Sequence, residues 1–357
     1  MIRTLRAAVI GLGRIGAQQS KRFEGKIPNG WFPLSHAEAF RNTDGIELVA
    51  LCDQNLERLA QFSHLYKIKS AYTDYKKMIT EVKPDLISVA TRTDVRCEII
   101  QYAAEHGVRG FYAEKPLSRS VRECRDVLNT IATNNGKIVY GATRRAMDIY
   151  RKAKELVWSD ELGEIKQIHI DFGKAAILWS HSHSVDLITY FANSNEFTHV
   201  QGWCQIEEGA IKSPIFIDHD PVVEHAYFKF ANGITATITQ SPGFNIRIAC
   251  SKGLVTIHGD GYSIEVNRIK NMDSYFHGIE EILIEPKQSG TNYLMEDLRD
   301  AVINNMAVKY ITLEELITGH EMMLGVVYSS MMGGKMITRS EIPTDLLISG
   351  RTGQLYA

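Results

Sequence analysis

Lys115, His181, His183 and Asp186 are the side chains of this sequence best suited to moving protons. Lys115 stands in Glu114-Lys115-Pro116, just past an apolar strand, and the other three lie in Trp179-Ser180-His181-Ser182-His183-Ser184-Val185-Asp186. An amine that is partly desolvated beside a bound ring can have its pKa lowered enough to exchange a proton with a hydroxyl. His183 and Asp186, at helical spacing near a helix start, share a face that could point at a substrate; Tyr190, one turn on, could line the same wall or fill the core. Simpler roles stay open: a surface turn for Glu114-Lys115-Pro116, a cap or packing residue for His183, and a carboxylate favoured by the helix dipole for Asp186. Two imidazoles and a carboxylate also invite a metal. No Glu or Cys at ligand spacing completes that set, so no metal is expected.

These residues must be positioned by a sheet, and the chain opens on one. The apolar run Leu5–Ile10 feeds Gly11-Leu12-Gly13-Arg14-Ile15-Gly16, a GxGxxG turn between a strand and a helical stretch expected over Arg14–Phe23. Glycines at this spacing turn the chain tightly, bring bare backbone against a pyrophosphate and seat a helix N-terminus facing it. A dinucleotide is the expected ligand, held along Gly11, Gly13, Arg14, Ile15 and Gly16.

Up to about Ala142, apolar strands alternate with amphipathic helices, the pattern of a doubly wound parallel sheet. Strands are predicted at Leu5–Ile10, Ile46–Cys52, Leu86–Ala90, Gly110–Ala113 and Lys137–Tyr140, with ligands gathering at their C-terminal edge. Thr91, Arg92, Glu114 and Lys115 fall on that edge. The acidic residue that reads the ribose is usually about 20 residues past the glycines, yet the second strand ends only at Asp53. Residues Gly25 to Pro33 therefore read as an inserted loop, and Ser35-His36-Ala37-Glu38 as a capping box that restarts a helix through Phe40. A carboxylate at Asp53 favours NAD over NADP, although it could also be a plain strand-end aspartate; Arg58 leaves NADP possible.

Beyond Ala142 short strands and tight turns mark a second domain, giving a division into residues 1–142 and 143–357. Tyr227–Phe230 and Ile234–Thr239 flank Ala231-Asn232-Gly233, a hairpin signal. Further strands are expected at Arg247–Cys250, Leu254–His258 and Tyr262–Val266. Helices follow at Tyr293–Asn305 and Leu313–Met332. An open-faced sheet whose outer face is apolar would need covering, which a homodimer or homotetramer partner can supply.

Length and charge agree with this picture. At 357 residues the chain exceeds what one core usually fills. With 40 basic and 42 acidic residues and no long run of either sign, nothing suggests nucleic acid or an anionic membrane. No apolar segment reaches membrane-spanning length and no signal-peptide pattern opens the chain, so a cytoplasmic protein is expected. Cys52, Cys97, Cys124, Cys204 and Cys250 are scattered singly and read as reduced thiols.

The glycine turn, Glu114-Lys115-Pro116 and the sequence after Tyr140 occur together in an order that resembles the Gfo/Idh/MocA oxidoreductases. Gly141-Ala142-Thr143-Arg144-Arg145 is similar to that family's crossing into its second domain, and Glu161-Leu162-Gly163-Glu164-Ile165 to the start of its sheet. The resemblance implies an α/β fold: an N-terminal Rossmann domain plus a C-terminal α+β domain with an open-faced, mainly antiparallel sheet. It further implies a nicotinamide cofactor, a sugar, cyclitol or nucleotide-sugar substrate, and a cis peptide before Pro116 that aims Lys115 into the cleft. The family signature Asp-x-Gly-x-His-x-x-Asp aligns with Trp179 to Asp186, where only His183 and Asp186 match. Trp179 and His181 replace the Asp and Gly, and His181 could partly substitute for the missing carboxylate. Lys115 and His183 are then the expected catalytic pair, with Asp186, His181, Trp179, Arg144 and Arg145 at the substrate, the arginines suiting an anionic group. A non-catalytic dinucleotide-dependent sensor or corepressor, and an NAD-dependent non-redox lyase or glycosidase, remain as alternatives.

Overall fold

In a computed structural model, residues 4–269 and 278–350 are described, and the chain falls into two compact units. The first takes Met1–Ala146 and Gln288–Leu313 with the segment from Gly350, the second Met147–Lys287 and Glu314–Ser349.

The first unit alternates strands and helices: β1 (Leu5–Ile10), α1 (His36–Asn42), β2 (Ile46–Cys52), α2 (Leu56–Tyr66), β3 (Ser70–Tyr72), α3 (Tyr75–Val82), β4 (Leu86–Val89), α4 (Thr93–Glu105), β5 (Gly110–Ala113), α5 (Val121–Thr133) and β6 (Lys137–Tyr140). The strands pair in parallel in the order β3-β2-β1-β4-β5-β6. The order reverses between β1 and β4, and the crevice at that switch point is where doubly wound sheets bind ligands. β3 had no sequence signal because none of its three residues is buried.

A boundary at residue 142 followed by one continuous second domain is not how the chain divides. The helix Gly290–Asn304 places Leu294, Met295, Leu298 and Val302 in the same buried cluster as Leu5, Val9, Phe40 and Tyr112. Its apolar stripe at helical spacing covers sheet surface beside α1, so Gln288–Leu313 returns to the first unit.

The helix expected over Arg14–Phe23 is also corrected. Ala17 N donates to Gly13 O, and the next rungs come from much later residues: His36 N bonds Ile15 O at 2.9 Å and Ala37 N bonds Gly16 O at 3.0 Å. α1 thus takes up the register of the turn that Gly13 and Ala17 begin, and residues 18–34 are an excursion between that turn and the helix. Within it lie two 3₁₀ turns, Ser20–Phe23 and Asn29–Trp31, separated by Gly25 at φ +73° and Pro28. Nor does the expected capping box form, since Ser35 caps nothing with its side chain. Glu38 Oε2 instead accepts from Ser20 N at 2.9 Å, from Ser20 Oγ and from Ser35 Oγ at 2.8 Å. One carboxylate therefore cinches both ends of the excursion.

The second unit carries α6 (Asp148–Val157), α7 (His181–Ala192) and the helix Leu313–Met331 with a large sheet. Its strands run in the order Gly278–Ile282, Ser263–Arg268, Gly253–His258, Asn245–Cys250, Ile165–Asp171, Thr235–Thr239, Val222–Phe230, Phe197–Gln205, Ile337–Thr338. The pairing is antiparallel except between Ile165–Asp171 and Thr235–Thr239. The expected hairpin turns at Gly233, whose φ of +87° suits a residue without a Cβ. Alternation is strict in the middle strands: Ile168, Ile170, Ala236, Ile238, Ile246 and Ile248 are fully buried on one face. The other face bears His169, Asp171, Thr237, Thr239 and Arg247, tied by bonds such as His169 Nε2 to Asp171 Oδ1 at 2.9 Å. On these strands the outer face is polar, so apolar exposure supplies no demand for a covering partner there. Among the described residues no helix is long and apolar enough to cross a membrane.

Candidate active site

The glycine turn is built as its spacing requires. Gly11 has φ +89°, and a Cβ there would meet the Ala90 carbonyl at 2.8 Å. A Cβ on Gly16 would stand 1.9 Å from Gly11 O, so only glycine lets the first helical turn close against the strand end. At Gly13 a Cβ would meet nothing within 4 Å. The middle glycine thus faces open space, the side on which a pyrophosphate would meet bare backbone. These observations fit a dinucleotide.

Asp53 follows β2 at the same edge. Its Oδ2 accepts from Leu12 N at 2.7 Å inside the glycine turn, and its Oδ1 from Asn55 N at 2.8 Å and from Arg58 Nη2 at 3.1 Å. The carboxylate is therefore oriented by backbone and partly neutralised by a guanidinium whose side chain is 32% exposed. That pairing tempers the repulsion a bare Asp53 would exert on a 2′-phosphate.

Thr91, Arg92 and Lys115 stand past the ends of β4 and β5, and a buried network fixes their loops. The Arg96 guanidinium, from α4, donates to Thr91 O and Pro116 O. Fully buried His36 places Nδ1 on Ser88 Oγ in β4 and Nε2 on Glu114 Oε1 at 3.1 Å, with Tyr112 edge-on to the ring at 4.3 Å. An ionised carboxylate only accepts, so Nε2 carries the proton. Burial would raise the Glu114 carboxyl, but the His36 hydrogen bond and charge, with Lys115 and Arg96, hold it below the ordinary carboxylate range. Glu114 Oε2 also accepts from Lys115 N at 3.2 Å. The Lys115-Pro116 peptide is cis, as the resemblance implied. Gly141 makes room for this arrangement, because a Cβ there would come within 2.7 Å of Glu114 Oε1.

Sequence reading missed His36 as part of the site, and with it Arg96 and Gly141. His36 meets partners 52 and 78 residues away, a relation no local pattern carries. Glu114, expected at the cofactor, is instead 7% exposed and committed to His36 and to its own loop. Arg144 and Arg145, expected at an anionic substrate group, are buried within the first unit. Arg145 Nη1 donates to Tyr310 O at 2.8 Å, and the Arg144 guanidinium lies 4.7 Å from the Trp31 ring centroid.

In the second unit, α7 carries His181, His183, Asp186 and Tyr190. Asp220 positions the helix entry: its carboxylate accepts from Leu178 N at 2.9 Å and Trp179 N at 3.0 Å. His181 is completely buried, 5.2 Å from the Phe172 ring, with Nδ1 on Ser184 Oγ at 3.1 Å. Burial pushes its pKa down to about 4, against a smaller opposing effect of the Ala175 backbone. It is a neutral packing histidine and exposes no surface to a substrate, contrary to the expectation. Asp186 is buried, whereas His183, Trp179 and Tyr190 are half-buried. Among the described residues no group of three or more His, Cys, Asp or Glu is placed to hold a metal ion.

Residues 5–142 match the model of an oxidoreductase family with an NAD-binding Rossmann fold. D-apiose dehydrogenase of Paraburkholderia graminis is 32% identical over 106 residues, 29% of this chain and 28% of that protein. Inositol 2-dehydrogenase of Salmonella paratyphi B is 24% identical over 168 residues, 46% of this chain and 45% of that protein. The matched stretches thus span less than half of either relative. Among solved structures, a levoglucosan dehydrogenase in complex with NADH and levoglucosan superposes with a TM-score of 0.75 at 16% identity, covering 95% of this chain and 99% of that one. At that identity the likeness establishes the fold.

Proposed function

Because its residues 5–142 belong to the Gfo/Idh/MocA oxidoreductase family, with an NAD-binding Rossmann fold, we propose that this chain is an NAD-dependent dehydrogenase of a sugar or cyclitol hydroxyl. The observation that carries the reading lies within the first unit. Lys115 leaves the end of β5 on the same sheet edge as the open glycine turn, and its loop is fixed by Glu114, His36 and Arg96. A buried polar network is a costly way to hold a surface turn and a suitable way to aim an amine.

When bound, the nicotinamide dinucleotide supplies the acceptor or donor of two electrons and a hydrogen. Gly11, Gly13 and Gly16 would form the turn that holds its phosphates, Asp53 would take the ribose hydroxyls, and Thr91 and Arg92 would line the nicotinamide half. Lys115 Nζ receives the hydroxyl proton as the carbinol becomes a carbonyl and returns it in the reverse direction. His183 shares this proton duty, and Asp186 orients His183 or the substrate. The substrate class draws support from the named activities of the two relatives on D-apiose and inositol. A nucleotide sugar is disfavoured, because the two arginines that would suit its phosphates are buried and engaged. NADP use and assembly into a homodimer or homotetramer belong to the same reading.

The test is the rise in reduced-nicotinamide absorbance on incubating the protein with NAD and pooled sugars and cyclitols, with Lys115→Met as control. A lysine-dependent rise supports a dehydrogenase, and splitting the pool names the substrate. Product without net reduction turns the reading to non-redox chemistry, and NAD binding without any product turns it to a sensor.

A further inference from the structure

Residues 18–34 interrupt a helical register that closes without them, since Ala17 N bonds Gly13 O and His36 and Ala37 then bond Ile15 and Gly16 as residues 19 and 20 of an unbroken helix would. The sheet does not need the excursion, so its purpose lies where it goes. It leaves directly from the glycine turn, and the Arg14 side chain of that turn rests against Phe23 with 6.0 Å to the ring centroid. Its tip reaches Arg144, just past β6, where the Trp31 ring lies 4.7 Å from the guanidinium. In the order β1-β4-β5-β6 these two ties are three strand spacings apart, roughly 14 Å. Between them β4 and β5 end, with Thr91, Arg92 and Lys115. The base is cinched through Glu38 and Ser20, whose Oγ accepts from Leu34 N at 2.7 Å and Ser35 N at 3.2 Å. A segment fixed at its base, at the phosphate turn and beyond the last strand spans the edge on which a dinucleotide would lie.

We propose that residues 18–34 form a strap that retains the bound dinucleotide, latched by Trp31 on Arg144. The inference rests on the dinucleotide-binding reading above. Trp31 is half-buried, so the latch can release, and opening it frees the cofactor. A guanidinium–indole contact is strong enough to slow release measurably and weak enough to yield on each exchange.

The experiment uses the full chain and NADH as the probe. Stopped-flow displacement of NADH gives the release rate, and binding transients give the association rate, for the parent, Trp31→Ala and Trp31→Phe, with Trp158→Ala as a control on the second unit. Trp31→Ala should release NADH roughly tenfold faster with association little changed. Trp31→Phe, which keeps an aromatic face, should stay within about threefold of the parent. A further variant joins Ala17 to Ser35 through two glycines and should release NADH at least as fast as Trp31→Ala. Tight NADH binding with unchanged release in Trp31→Ala would overturn the strap while leaving the dehydrogenase reading intact. Failure of the parent to bind NADH would overturn both.

Discussion

Glu114 Oε1 lies 3.1 Å from His36 Nε2, and neither side chain is more than 9% exposed. The pair joins the first residue of α1 to the residue before Lys115, so the position of the amine depends on a helix that begins only after a long excursion. Removing the imidazole leaves a buried carboxylate with one partner fewer. His36→Leu should therefore lower stability by about 2–4 kcal/mol, read from urea unfolding. Oxidation rates should fall further than NADH affinity does. Unchanged stability would show that the pair does not anchor the Lys115 loop.

Lys115→Met removes the amine and keeps the length of the chain. Oxidation of any substrate found for the parent should drop by at least about a hundredfold, the usual scale of general acid–base assistance. NADH affinity should change little, because the glycine turn and Asp53 are untouched. Comparable turnover in the variant would remove Lys115 from the mechanism.

Asp53 and Arg58 divide the choice between NAD and NADP. Asp53→Ala loses both the ribose acceptor and the bond to Leu12 N, so NAD binding should weaken by roughly tenfold while NADP loses less. Arg58→Ala uncovers the carboxylate, and NADP should weaken more than NAD. Titration of each variant with both dinucleotides checks the pattern. An unchanged ratio in Asp53→Ala would show that another residue reads the ribose.

His181 gives stability a pH dependence. Its folded pKa of about 4 lies below the ordinary histidine value of 6.5, so between these values the unfolded chain binds more protons than the folded one. Stability is full above about pH 6.5, falls as pH drops towards 4, and is lower by roughly 2 kcal/mol at pH 5. His181→Phe should flatten that part of the profile, as measured by urea unfolding at pH 7 and pH 5. An equally steep loss in the variant would assign the acid sensitivity to other groups.

Much of this architecture is local, and so legible in the chain. The strands Leu5–Ile10, Ile46–Cys52, Gly110–Ala113 and Lys137–Tyr140 fall where their apolar runs predict, because a strand buried on both faces must be continuously apolar. The outcome was different wherever a residue's role depended on a distant partner. Glu38 looked like half of a capping box but serves Ser20, and His181 looked like a substrate ligand but packs beneath Phe172.

The glycine turn, the alternation of strand and helix, and the placement of Asp53 and Lys115 at strand ends are written locally in the chain, since all of these follow from steric and periodic rules acting over a few residues. Closure of the core was needed for α1 to take up the register of the turn at Gly13, for His36 to reach Glu114, for Arg144 to meet Trp31, and for Gly290–Asn304 to return to the first unit. Each of these joins residues far apart in the chain, and their pairing is chosen by which buried polar group finds a partner and which apolar stripe finds a face once the whole core has closed.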